Sequence, residues 1–329
     1  TKYRLKELFK FSVIKPSLSQ GLMIMSILTL FLLSLVQTLY WPPNSWDSLA
    51  LYDFRAKVFS DTQSLASNVL VSESEISSYN YSYPFFTSLA HALVYLSDGK
   101  NPQFIYTFIY ISFLICLYFI LRKKTQRWIA LGITLLVGLS PSFFYHSTIS
   151  YTNLSYAVYY VLSTLFLWQW LEKKRNNVLI VSVLFLGLSV WVRTTEPFWI
   201  LNVLVIVLNL LLSKKLIFIV VILLFIFGTR QSWQLYYTNV LAGVVDPVMA
   251  QTSFYLDIGK IIPVTIYTLD NIIVTKEYLP FYLIYLISLI IMGRKIVKKN
   301  FYIPVFILLY LIIFWTGTYF FSINYSWWN

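Results

Sequence analysis

The sequence predicts an all-α integral membrane protein, a polytopic helical bundle of about nine spans. Three observations carry that prediction. The 329 residues are 58% hydrophobic and only 12% charged, against roughly a quarter charged in an ordinary soluble domain. Apolar runs of about 15 to 23 residues recur along the whole chain. Short basic clusters separate them, as Lys and Arg do between the spans of polytopic proteins. The chain therefore reads as a single transmembrane domain, 1–329, with no stretch left for a separate soluble unit. Thr1 in place of Met, and an end at Asn329 soon after an apolar span, lead us to expect a longer parent chain, truncated at the C-terminus.

In chain order the predicted spans are 19–40, 103–121, 128–145, 153–171, 178–193, 197–213, 216–233, 279–293 and 300–320. The first is too long, and too poor in small residues at its end, for a cleaved leader, so it is read as a retained span. Most of the 25 basic residues fall in five clusters: Lys2 to Lys15, Arg122 to Arg127, Lys173 to Arg175, Lys214 with Lys215, and Arg294 to Lys299. Positive charge marks the cytoplasmic side. All five clusters share that side only if the short apolar stretch Pro84 to Leu96 does not cross, which makes it a re-entrant or interfacial helix. The N-terminus is then cytoplasmic in a cell inner or plasma membrane. Every one of the 13 acidic residues except Glu7 and Glu172 falls on the other side or at the outer ends of spans.

Two outer segments are long enough to build a site, 41–102 and 230–278. The net charge of +12 is accounted for by these clusters, and no basic module interleaved with exposed aromatics is present, so nucleic acid is excluded as a partner. The single cysteine, Cys116, lies inside an apolar run and offers neither a disulfide nor a cysteine metal site.

The first outer segment opens Trp41-Pro42-Pro43-Asn44-Ser45-Trp46-Asp47 and reads, after Pro43, as a helix capped at Asn44 or Ser45. Leu51, Phe54 and Val58 form its apolar stripe, so it should lie along the outer interface as a juxtamembrane helix. By spacing alone Asp47 complements the helix dipole, and Asp53 with Lys57 is an i,i+4 ion pair. His91 is read as packed within the Pro84–Leu96 helix. The loop 230–278, with Asp246, Asp257, Lys260 and Asp270 among many apolar residues, should form amphipathic helices on the membrane. Arg193 and Glu196 sit in a tight turn between two spans, where charge is costly and points to function, against the alternative of a snorkelling ion pair.

This layout, with the Tyr83-Pro84 helix and the pattern His146-Ser147-Thr148-Ile149-Ser150-Tyr151-Thr152-Asn153-Leu154 opening a span, resembles the GT-C class of membrane glycosyltransferases. Bacterial protein O-mannosyltransferase-like and aminoarabinose-transferase-like enzymes are the most similar. The resemblance covers most of the chain and rests on layout and loose motifs. It implies an extracytoplasmic site that transfers a sugar from a polyprenyl-phosphate donor to a protein, lipid or glycan acceptor, with inversion, and with Asp47 as general base.

Arg193, Lys57, Arg55 and Glu196 are then the residues for the donor phosphate, with Arg230 a weaker one, because a guanidinium forks onto phosphate oxygens. Asn153, His146 and Tyr151 belong to the second outer turn and the acceptor. Many members of the class carry an acidic residue where this chain has Asn153, a neutral and weak metal ligand, so a divalent cation is the one cofactor in question and no metal-binding residue is assigned. Two other classes stay open: a transporter or flippase for a lipid-linked solute, and a catalytically inactive GT-C-like subunit. The first calls for internal repeats and ionisable groups deep inside spans, neither of which the sequence has.

Overall fold

The computed structural model describes residues 16–65, 83–193 and 198–240, with isolated positions between 259 and 309. All regular structure among the described residues is helical. The helices are α1 (Leu18–Tyr40), α2 (Phe54–Thr62), α3 (Phe86–Leu96), α4 (Phe104–Arg122), α5 (Arg127–Gly138), α6 (Pro141–His146), α7 (Thr152–Lys173), α8 (Asn176–Val192), α9 (Trp199–Leu212) and α10 (Leu216–Val240). A π-helical turn, Ser48–Asp53, leads directly into α2. The predicted spans 279–293 and 300–320, most of the 230–278 loop, Glu196, and the basic clusters 2–15 and 294–299 lie outside the described residues, isolated positions aside.

Among the described residues three segments are long and apolar enough to cross a membrane: α1, α4 and Leu216–Trp233 of α10. Their mean hydropathies are 2.2, 2.3 and 2.0, and they mark the chain as a helical membrane protein. α1 shows how the solvent is written into the sequence. Its Ser17 cap and Gln20 satisfy each other's backbone N–H in a capping box. From there only Ser34 and Thr38 are buried, while Leu22, Met25, Leu28, Leu32, Leu33 and Val36 face outward. A water-soluble helix has the opposite arrangement, and exposing each such side chain to water would cost about 1.5–3 kcal/mol.

The buried hydroxyls hold α1 in place. Ser34 Oγ lies 2.7 Å from Thr107 Oγ1 of α4 and 2.8 Å from Ser147 Oγ, and Thr38 Oγ1 lies 3.1 Å from the same Thr107 oxygen. A second polar seam joins α7, α8 and α9: Asn202 Nδ2 donates to Ser163 Oγ at 3.0 Å, and Ser182 Oγ donates to the Ser163 carbonyl at 2.8 Å. In an apolar medium such bonds fix how helices pack, each contributing about 0.6 kcal/mol and at most about 1.7. Asn202→Ala, which leaves Ser163 and Thr164 short of a partner, is expected to lower the unfolding free energy in mixed micelles by about 1 kcal/mol. An unchanged unfolding midpoint would mean the seam is passive.

One predicted span is corrected. The stretch 128–145 is not continuous, because α5 stops at Gly138 and α6 starts at Pro141. Proline at the first position of α6 has no N–H to continue α5, and it holds Ser140 at ψ 120°, outside the helical region. The freed Gly138 carbonyl accepts the Tyr110 hydroxyl at 2.8 Å. A methyl group at Gly138 would meet that oxygen at 3.0 Å and Leu114 Cδ1 at 3.1 Å, so α4 and α5 approach closely here and a larger residue would push those two side chains aside.

The polar residues sort to the two ends of the bundle. At one end Lys124 pairs with Glu172, and Lys174, which donates to Asn209 Oδ1 at 3.1 Å, feels the charge of Lys215. Three of the basic clusters thus meet. At the other end α3 starts and finishes on the same side. Tyr83, just before it, takes a hydrogen bond from Arg55. Just after it, Asn101 Nδ2 donates to the Leu39 carbonyl at 2.7 Å and Gln103 donates to that of Trp41. The chain therefore returns to the tip of α1 without traversing the bundle. α3 packs on α2 through Ala56, Val58, Phe59, Phe85 and Ala92, and Trp233 of α10 closes this cluster.

Candidate functional site

The π-helical turn follows from the local sequence. Pro42 and Pro43 end α1, the chain re-enters a helix at Trp46, and the Leu49 N–H bonds to the Ser45 carbonyl at 3.0 Å. Asp47 and Ser48 thereby stand at the first turn of the helix, where N–H groups are unpaired and negative charge is favoured. Inserted single π-turns are rare and cluster at functional sites.

Asp47 is half-buried and lies against the stretch that opens α7. The Tyr151 hydroxyl accepts from the Asp47 backbone N–H and from Ser45. Burial pushes the Tyr151 phenol up, and the Asp47 charge adds to this, so Tyr151 stays protonated. One ring contact further, Tyr151 meets His146 at 6.2 Å between centroids. The Tyr52 hydroxyl lies 3.3 Å from Thr152 Oγ1, tying the same turn to α7 from its buried side.

Arg193 caps α8 and reaches across to α7. Its Nη1 donates to Asn153 Oδ1 at 2.8 Å, and its guanidinium lies over the rings of Tyr83 at 5.3 Å and Tyr156 at 5.9 Å. Asn153, exposed at the second position of α7, thus uses its side-chain oxygen on a cation within the protein. That leaves it poorly suited to hold a metal ion. Among the described residues no three His, Cys, Asp or Glu side chains come together as a metal-binding group.

Five residues singled out in the sequence, Asp47, Tyr151, His146, Asn153 and Arg193, therefore form one continuous polar face. Ser48 Oγ, Ser150 Oγ and His146 Nδ1 flank it, and none of the three has a hydrogen-bond partner among the described residues. Buried polar atoms without partners are rare enough to call for a ligand or an ordered water. Burial first, and the nearby Arg193 charge second, hold the His146 pKa below its ordinary value.

The sign of the pH effect follows from that shift. Below the unfolded histidine pKa, about 6.5, the unfolded chain takes up a proton that the folded chain refuses, so stability falls on acidification until the lower folded pKa is reached. His146→Gln is expected to flatten this loss in thermal unfolding between neutral and mildly acidic pH. A parent and variant that lose stability in parallel would show that His146 is not the group responsible.

The remaining site residues are placed elsewhere. Arg55 is fully buried, with Nε donating to the Leu51 carbonyl at 3.1 Å and Nη1 to the Tyr83 carbonyl at 2.8 Å. It binds the Asp47-bearing helix to the start of α3. Lys57 is exposed and lies over the Tyr95 ring at 5.7 Å, so its contact runs to α3 and not to the Arg193 face. Arg230 lies over Trp199 at 5.6 Å.

The expected Asp53–Lys57 pair is replaced. Asp53 Oδ1 is 2.9 Å from His91 Nδ1, both buried, because the π-turn rotates Asp53 inward toward α3. Sequence reasoning missed this partner, as well as the Tyr83–Tyr156 cage of Arg193. A lone histidine in an apolar helix carries no local sign that a carboxylate from another helix faces it. The chemistry of the site rests on its own residues, for neither a family model, nor a curated protein, nor a solved structure matches this chain.

Proposed function

We propose that this protein is a GT-C-like glycosyltransferase, a bundle of about nine spans whose Asp47–Arg193 face lies on the extracytoplasmic side. The observation that supports it best is the convergence of one carboxylate, one caged guanidinium and three unpartnered polar atoms at the acidic end of an apolar bundle. A polyprenyl-phosphate sugar is a substrate with matching parts. Its phosphate suits Arg193, whose planar guanidinium matches the fork of phosphate oxygens. Its tail suits the largely apolar groove lined by Leu33, Val36, Gln37, Tyr40, Trp41 and Phe144, the last of these two residues before His146 in the sequence.

The reaction needs little more than these groups. The acceptor hydroxyl attacks the anomeric carbon from the side opposite the phosphate, Asp47 takes its proton, and the bond from the anomeric carbon to the phosphate oxygen breaks with inversion. The departing phosphate is already a stable anion, so no general acid is required. Arg193 stabilises the charge that develops on it. Basic residues at the opposite end then face the cytoplasm.

The test is donor consumption by the purified protein in lipid nanodiscs, offered a panel of polyprenyl-phosphate sugars with peptide, lipid and glycan acceptors. Release of polyprenyl phosphate with formation of an inverted glycoside supports the reading. Donor that moves between leaflets without cleavage would make the protein a flippase, and donor neither cleaved nor moved would make it an inactive subunit.

A further inference from the structure

A buried polar chain lies behind the site. Asp53 is the last residue of the π-helical turn and is 2% exposed. Its Oδ1 lies 2.9 Å from His91 Nδ1 and accepts the Tyr95 hydroxyl at 3.0 Å. On the far side of the imidazole, His91 Nε2 lies 2.9 Å from the Tyr106 hydroxyl. His91 is fully buried and Tyr106 is 2% exposed. Among the described residues His91 is the one basic group at ion-pair distance from Asp53, and Asp53 Oδ2 has no hydrogen-bond partner.

Each link joins a different element. Asp53 belongs to the helix that begins at Asp47, His91 and Tyr95 to α3, and Tyr106 to α4. The residue after Tyr106 is Thr107, which joins α4 to Ser34 and Thr38 of α1. The chain therefore runs from the packed spans to the end of the π-turn, and the other end of that turn carries Asp47. A buried polar or ionic contact is a poor source of stability compared with apolar packing of the same volume, and its best attested use is to fix register. A π-turn needs such fixing, because it holds one residue more than the α-helical turn to which it can relax.

We propose that Asp53 and His91 are positioning residues for Asp47, and that the Asp53–His91–Tyr106 chain locks the register of the π-turn so that Asp47 faces Tyr151. The proposal rests on the glycosyltransferase reading for its kinetic consequence and on geometry alone for the lock. His91 presents Nδ1 to the carboxylate and Nε2 to the Tyr106 hydroxyl, each at 2.9 Å. Asparagine at position 91 places an amide N–H where Nδ1 stands, whereas glutamine places it where Nε2 stands.

The experiment pairs a distance measurement with kinetics. Spin labels are introduced at Leu49 and Ala157, both exposed, in a Cys116→Ser background, Cys116 being the single cysteine. His91→Asn is expected to keep the narrow label distance and the transfer rate of the parent. His91→Gln and Asp53→Ala are expected to broaden the distance and to lower kcat by about a hundredfold, with KM for the donor little changed. Equal damage from His91→Asn and His91→Gln would assign the histidine to packing and overturn the proposal. An unbroadened distance in both His91→Gln and Asp53→Ala would overturn it too. Should the parent transfer no sugar, the glycosyltransferase reading fails, and the label distances still decide whether the lock exists.

Discussion

In the proposed mechanism, Asp47→Asn is expected to lower kcat for sugar transfer by about 10³, inside the 10²–10⁴ range for loss of a general base. The substitution keeps the shape of the side chain, the first-turn position and the backbone N–H offered to Tyr151, so the protein stays folded and still binds donor. What it removes is the carboxylate proposed to take the acceptor's proton. His146 is held toward its neutral form and so has a lone pair, but it sits one ring further from the Asp47 turn, across Tyr151. The measurement is single-turnover transfer beside donor binding on the same preparation. Full activity of the variant at unchanged protein level would refute the mechanism. Loss of donor binding together with activity would instead make Asp47 a structural cap.

Arg193→Ala is expected to lower kcat/KM by about 10²–10³, the effect of removing one strong donor to a developing anion. Here both kinetic constants should change, because in the proposed mechanism the guanidinium meets the phosphate in the ground state and more strongly as the bond breaks. Arg193→Lys separates the two contributions. It restores the charge but not the fork, and it cannot span Asn153 and the Tyr83–Tyr156 cage as a planar group does. It should recover donor binding while leaving kcat depressed. If Arg193→Lys matches the parent in both constants, the geometry of the cage is irrelevant. If Arg193→Ala matches it, the phosphate is held elsewhere.

The bundle was legible in the sequence to different depths. α1, α4, α7, α8, α9 and most of α10 follow from apolar run length, and their bounds fall within a few residues of the predicted ones. The break between α5 and α6 was not read, although Pro141 marks it, because apolar residues on both sides hide a short interruption. The return of α3 to its own side was legible from charge, since a crossing there would have split the basic clusters. The site was legible only in part. Asp47, Asn153 and Arg193 stand at helix ends, where polar residues in an apolar chain attract attention. The Asp53–His91–Tyr106 chain runs through helix interiors, and its members look like ordinary helix residues until three helices are brought together. Local spacing named the wrong partner for Asp53, because i,i+4 geometry assumes a regular α-helix and Asp53 ends a π-helical turn, Ser48–Asp53.

α1 also has a bearing on how the protein is made. Its outward face is already at home in lipid, so the helix can be inserted and stable there before any other helix arrives. The buried polar groups of its inward face, Ser34 and Thr38, have partners on α4 and after α6 that are synthesised 69 to 113 residues later. Insertion and docking of α1 are thus separate events. The tip of α1 leads through Trp41 and two prolines to Asp47, so the carboxylate reaches its place at the second event and not at the first.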